Sequence, residues 1–377
     1  MKKNLFLFLL TRIFAIFFMS AILSDTYYYV TLAQKMFQGA IPYIDFPFEY
    51  PPFAIFPIYL SGVISTESYR LWFMLLAFIF DFFIFWEIYK RKNHVLFYVI
   101  LSSLCLPFLL ERLDIFMVFP MVMALGCYQR NKFNQGLIWS TIGGWFKLIP
   151  FITYIGTFKD KENFGRTMVK IILLNFLILT IFSMSFYSNM FDFLKYHLDR
   201  PFQIESVVSS FVLIFAQVFG FKIEIVNSFG SQNILFNGMN LLLKLSFFLT
   251  LASFGWLIYF FNKNKNQLNL FDVTSIFILF LLLFSKVLSD QFFVWPLAFL
   301  FLGNLIKQMN LLDKIILTAI YFITCFLFVN YWSVIEKGGI WHWILFLKNI
   351  LLIYITVKSI IILNKKSENG IRVPFSL

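Results

Sequence analysis

Charge is what this chain has least of. Only 13% of its 377 residues are Asp, Glu, Lys or Arg, and 60% are hydrophobic. A soluble domain carries roughly 25% charged residues, so a water-soluble fold would have nowhere to put this apolar surface. Cysteine is scarce too: Cys105, Cys127 and Cys325 sit in apolar runs without CxxC spacing, which argues against a disulfide framework or a zinc site. No P-loop, GxGxxG or HExxH occurs, so nucleotide hydrolysis, dinucleotide binding and zinc proteolysis have no support. There is no fixed-period repeat and no stretch of soluble-domain composition. Residues 1–377 therefore read as one integral-membrane domain.

What is present is a succession of apolar runs near the ~20 residues that span a bilayer. They predict an all-α polytopic membrane protein, multi-pass in the cell membrane. The net charge of +12 is a topology signal, and nucleic acid is not expected as a partner. Lys2 and Lys3 place the N-terminus in the cytoplasm, and 5–24 reads as an uncleaved signal anchor. The cluster Lys90, Arg91 and Lys92 must then be cytoplasmic, so only one of the runs 53–64 and 71–89 crosses. The first, at ~12 residues, is too short, and is read as interfacial or re-entrant. By the same rule 94–110, 115–129, 168–187, 236–261, 270–288, 291–306, 311–330 and 340–363 cross, while 206–220 re-enters. Arg130 and Lys132, then Lys159, Lys161, Arg166 and Lys170, and finally Lys365 and Lys366 mark cytoplasmic ends. Residues 134–158 have positive charge on both sides and Gly143, Gly144, Lys147 and Pro150 near the middle, which predicts a hairpin of two half-helices turning near Lys147. The expected total is about ten spans plus this hairpin, with both termini inside.

On that topology the unusual polar groups gather on the outer face. The loop 25–70 brings Asp25, Asp45, Glu49 and Tyr50 directly after the first span. Glu111-Arg112-Leu113-Asp114 follows the third, and Tyr196-His197-Leu198-Asp199-Arg200 with Gln203 and Glu205 forms another outer stretch. Lys286 lies at the end of a span, with Ser289, Asp290 and Gln291 just after it. Each has a plainer explanation. Asp25 can be a polar boundary residue, the proline-rich segment a turn-rich loop, Arg112 and Asp114 an internal ion pair, and His197 a surface histidine. Arg12 is expected to snorkel to the cytoplasmic side, and Asp81 and Glu87 to pair with neighbours.

Taken together the set suits one chemistry. A carboxylate at the lipid surface can take the proton of an acceptor hydroxyl, and nearby basic groups can hold a phosphate and make it a good leaving group. Lys286 and Arg200 are the expected phosphate-binding cations, with Asp45, Glu49, Tyr50, His197, Arg112, Asp114, Glu205 and Gln291 as acceptor or supporting residues. Tyr27, Tyr28, Tyr29, Tyr43 and Tyr50 suit sugar stacking as well as an ordinary aromatic belt. No cofactor is called for, and a divalent metal is left open.

These residues resemble the C superfamily of glycosyltransferases (GT-C), multi-pass enzymes that use polyprenyl-phosphate sugars, and within it the prokaryotic mannosyltransferase-like branch (glycosyltransferase family 87 and related proteins). The matching pieces are Ser24-Asp25, Gly39…Pro42-Tyr43…Asp45…Glu49-Tyr50-Pro51-Pro52, Arg112-Leu113-Asp114 and Gly143…Lys147…Pro150. They continue with Tyr196-His197…Arg200…Gln203…Glu205-Ser206 and Phe284-Ser285-Lys286-Val287-Leu288-Ser289…Gln291. The resemblance implies a first outer loop with juxtamembrane helices, Asp25 as its catalytic residue, and inverting transfer without a covalent intermediate. The implied partners are a polyprenyl-phosphate sugar donor, mannose-like first, and a glycolipid or glycan acceptor. The chain departs from the family at Asp290, where a proline is usual, and in lacking a large soluble domain after the last span, so acceptor recognition is expected from the outer loops. A transporter or flippase of lipid-linked saccharides is the alternative, and a polysaccharide polymerase or ligase a third reading.

Overall fold

The computed structural model describes residues 2–19, 24–160, 162–265 and 267–368. Positions 20–23 of the first expected span, Lys161 and the side chain of Lys366 lie outside the described residues. The protein is built almost wholly of helices, and the chain divides into two compact units, Met1–Asp199 and Arg200–Leu377.

The first unit runs α1 (Lys2–Phe18), α2 (Thr26–Phe37), α3 (Ile55–Ile64), α4 (Tyr69–Lys90), α5 (Val95–Leu104), α6 (Leu106–Leu110), α7 (Asp114–Gln129), α8 (Phe133–Phe146), α9 (Phe164–Phe186) and α10 (Asp192–Asp199). Helix α7 is its centre, apolar and buried on nearly every side, with α4 and α8 packed against it. The expected hairpin is present. Helix α8 stops at Lys147, whose backbone is extended, and an unusually long 3-10 segment, Ile149–Lys159, folds back along it. Glycines permit the close approach: a Cβ at Gly144 would run into the Phe151 ring of the returning segment, and one at Gly156 into Tyr128 of α7.

The second unit contains α11 (Val207–Phe219), α12 (Met239–Asn264), α13 (Leu270–Phe284), α14 (Val294–Leu302), α15 (Leu305–Gln308), α16 (Leu311–Val329), α17 (Tyr331–Glu336) and α18 (Ile340–Glu368). Between α11 and α12 lies an antiparallel hairpin that the periodicity did not predict, β2 (Glu224–Ser228) and β3 (Ser231–Leu235), with β1 (Phe202–Gln203) pairing on the other edge of β3. Phe229 and Gly230 turn it with φ of 53° and 64°, the left-handed pair that a two-residue hairpin loop requires.

Among the described residues, five helices are long and apolar enough to cross a membrane: α4, α9, α12, α16 and Ile340–Lys365 of α18. Their surfaces agree with a lipid solvent. Helix α9 exposes Ile172, Leu173, Phe176 and Met184, apolar area that water would not tolerate in such continuity. Shorter apolar helices occupy the other expected spans. The run 94–110 is interrupted at Cys105, between α5 and the proline-started α6, and 291–306 is divided among a 3-10 turn, α14 and α15. The segment 53–64 forms a 3-10 turn and the ten-residue α3, about 15 Å of helix at 1.5 Å per residue.

Arg12 does not snorkel. It is fully buried and donates through Nε to Asp81 at 2.9 Å and through Nη2 to Ser102 at 2.6 Å, with its guanidinium 4.1 Å from the centre of the Phe8 ring. Partners within the helix bundle satisfy the charge where it stands, so it has no need to reach the surface.

Candidate functional site

Asp25 occupies the N-cap position of α2, where an aspartate normally accepts a backbone amide of the first turn. Its side chain makes no such bond. The nearby amide of Thr26 is instead accepted by Ser24 Oγ at 3.2 Å, and the Asp25 carboxylate is turned to Arg112, with which it forms an ion pair. Tyr29, one helical turn on, donates to the same oxygen, Oδ2, at 3.3 Å. Both interactions converge on Oδ2. The carboxylate is 27% exposed and Arg112 16%, so this pair is held in place yet reachable.

The tetrad after α6 is a hub whose charges reach other elements. Glu111 receives Arg70 from the start of α4, with Nε at 3.0 Å, and Arg112 takes Asp25. Asp114, nearly fully buried, receives Lys147 Nζ at 2.7 Å. Arg112 and Asp114, considered from sequence as an internal pair, each have a partner distant along the chain. Adjacent charges at the start of a helix point in different directions, and each finds an opposite charge on another element. The hub thus joins the break in the α8 hairpin, the start of α4 and the N-terminus of α2.

Around Asp25 stand Tyr28, Tyr29, Tyr43 and Tyr50. Tyr29 and Tyr50 are hydrogen-bonded, and Tyr43 Oη donates to the Tyr50 carbonyl. Burial, with the charges of Glu49 and Asp25 adding to it, pushes the Tyr28 phenol up to about 12. Burial and then Glu49 raise Tyr50 well above the ordinary tyrosine range. Burial pulls the Arg112 guanidinium down, but Asp25, with Tyr29 and Tyr50 adding to it, holds it above the usual value. Asp45 is partly structural, since Oδ2 accepts the Ile41 amide at 2.7 Å and closes the 41–45 turn. A cavity of about 310 Å³ opens beside Tyr28, with Asp45 and Glu49 in its wall. His197 is exposed on α10, its ring edge-on to that of Tyr196.

The second unit holds the remaining predicted residues. Lys286 lies half-buried in the irregular segment between α13 and the 3-10 turn Asp290–Phe293, and its carbonyl accepts the Gln203 amide at 2.9 Å. Gln203 Nε2 donates to Glu205 Oε2 at 3.0 Å. Arg200 reaches Ser231 Oγ at the start of β3. Asp290 faces Lys348, whose fully buried ammonium is 3.8 Å from Oδ1 and 5.2 Å from the centre of the Phe293 ring. Next to it Asn349 Nδ2 donates to the Glu205 carbonyl at 3.2 Å.

Sequence reasoning missed Lys348 and Asn349. A single lysine inside the run 340–363 was absorbed into the count of spans, although an ionisable group inside an apolar helix is itself a sign of a polar site. Among the described residues no group of three or more His, Cys, Asp or Glu could hold a metal ion. No protein-family model, no curated protein and no solved structure matches this chain.

Proposed function

We propose that the protein is a membrane glycosyltransferase of GT-C type that moves a hexose, mannose-like first, from a polyprenyl phosphate to an acceptor hydroxyl. The reading includes about ten spans, cytoplasmic termini and chemistry on the extracytoplasmic face. The observation that carries it is the state of Asp25, a carboxylate diverted from its capping role, fixed through Oδ2 by Arg112 and Tyr29, and still 27% exposed. In the first unit Asp25 Oδ1 takes the acceptor proton as the acceptor oxygen bonds to the anomeric carbon. The bond from that carbon to the phosphate oxygen breaks, its electron pair leaves with the polyprenyl phosphate, and configuration inverts. In the second unit Lys286 and Arg200 are the cations assigned to the phosphate, whose negative charge grows as it departs. A transporter or flippase of lipid-linked saccharides is the second reading. It draws on the broken backbone at Lys147 and at 285–289, since interrupted helices are a habit of such proteins.

The test is transfer by purified protein in lipid nanodiscs, given a panel of polyprenyl-phosphate hexoses and a glycolipid acceptor mixture. Product from at least one donor, lost in Lys286→Ala and in Arg200→Ala through weakened donor use, is the expected result. Movement of lipid-linked sugar across a vesicle membrane with no transfer from any donor would establish the second reading instead.

A further inference from the structure

The cavity beside Tyr28 has a sign. Three carboxylates, Asp45, Glu49 and Asp192, stand in its wall with three tyrosines, Tyr28, Tyr43 and Tyr196, and among the described residues no Lys, Arg or His lines it. Two cations touch its wall from outside, Lys195 at 3.2 Å from Asp192 Oδ1 and Lys35 over the Phe46 ring at 5.3 Å, while Arg112 is paired with Asp25. Tyr28 registers the same negative field, its phenol held up by burial and then by Glu49 and Asp25.

Shape and chemistry narrow the occupant further. At about 310 Å³ the cavity is at the small end of ligand sites, room for a sugar unit more than for an extended chain. Its aromatic walls offer flat apolar faces with polar tips, and its carboxylates accept hydrogen bonds but donate none when ionised. A hydroxyl-rich ring can give hydrogen bonds to those acceptors and lay its C–H face on a tyrosine. A ring that carries its own carboxylate or phosphate meets like charge there, a repulsion screened by solvent at the exposed Asp45 and Asp192 and stronger at the half-buried Glu49.

We propose that this cavity is the acceptor subsite and that it selects by charge: it takes a neutral or amine-bearing saccharide and rejects uronic acids and sugar phosphates. Tyr28, in the cavity wall, is three residues past Asp25 and so on the same side of α2, close enough for the Asp25 charge to raise its phenol. This rests on the glycosyltransferase reading for the word acceptor, but the charge ranking is measurable without any donor. Asp45, Glu49 and Asp192 are specificity-determining residues here.

The experiment is a ligand-observed NMR titration of the full chain in nanodiscs with methyl glucosides and mannosides that carry no added charge, an amine, a carboxylate or a 6-phosphate. The amine and neutral forms should bind at least ~10-fold tighter than the carboxylate and phosphate forms, with the gap narrowing as salt rises. In Asp45→Asn/Glu49→Gln/Asp192→Asn the gap should fall to about threefold or less. Asn at position 45 keeps an acceptor for the Ile41 amide, and Glu49→Gln alone should move the ranking the same way if the triple variant is unstable. Equal binding of anionic and neutral forms, or a gap unchanged in these variants, overturns the proposal. So does donor-dependent transfer with no binding of any of these sugars, which would put the acceptor elsewhere and leave the glycosyltransferase reading standing. The expected ranking without transfer from any donor keeps the charge selection and sinks that reading.

Discussion

The first unit contains two Arg–Asp pairs that could hardly differ more. Arg12 and Asp81 are both fully buried, and further polar groups complete their bonds: Ser102 and Thr11 for the arginine, and Tyr98 for the aspartate at 3.3 Å. Asp25 and Arg112 are partly exposed, at 27% and 16%. The first pair is a closed network, and a buried charge that loses its partner there is left in apolar surroundings. The second is partly open to solvent. On the proposed function, exposure separates a charge kept for architecture from one kept for chemistry, a distinction that residue type alone does not make.

The largest effect should follow from breaking the closed pair. Arg12→Met strands a buried Asp81 and should cost about 3–5 kcal/mol, read as a drop in thermal midpoint and in folded yield. Arg12→Met/Asp81→Leu should recover most of that loss. Recovery of nothing would mean that Arg12 matters for its shape and not its charge.

Next comes the hub. Lys147→Met leaves the buried Asp114 without its 2.7 Å partner and should cost about 2–3 kcal/mol, with the same thermal readout. Smaller again is Arg112→Lys, which keeps the charge but loses the planar fork. Transfer should fall about 10-fold, the equivalent of ~1.4 kcal/mol, while the thermal midpoint barely moves. A large stability loss in this variant would return the Asp25 pair to the architectural class. The smallest effect belongs to Lys195→Ala: its ion pair with Asp192 is open to solvent, so the change in stability should stay below ~0.5 kcal/mol.

Legibility from sequence followed the range of the interaction. The hairpin over 134–158 was readable because its causes are local: two glycines, a lysine and a proline within one apolar run. Helix α4 was readable from hydrophobic length and a basic end. The partners of Glu111, Arg112 and Asp114 were not, because proximity along the chain suggested an internal pair and only the fold brings Arg70, Asp25 and Lys147 to them. Arg12 was misplaced for the same reason, since its partners come from α4 and α5. The hairpin of β2 and β3 is short and its alternation faint, so Gly230 after Phe229 was the one local cue. Lys348 shows a different failure, in which a residue read as part of a span faces a buried aspartate.

The most direct test is Asp25→Asn, measured for turnover and for donor affinity in the same preparation beside Asp45→Asn and Glu49→Gln. Asparagine keeps the size and an acceptor for Tyr29 but cannot take a proton, so transfer should fall ~10²–10⁴-fold with donor affinity and thermal midpoint near those of the native protein. Near-native turnover in Asp25→Asn, with the loss appearing in Asp45→Asn or Glu49→Gln, would show that the base lies elsewhere in the loop. Full activity in all three would contradict the account at its centre.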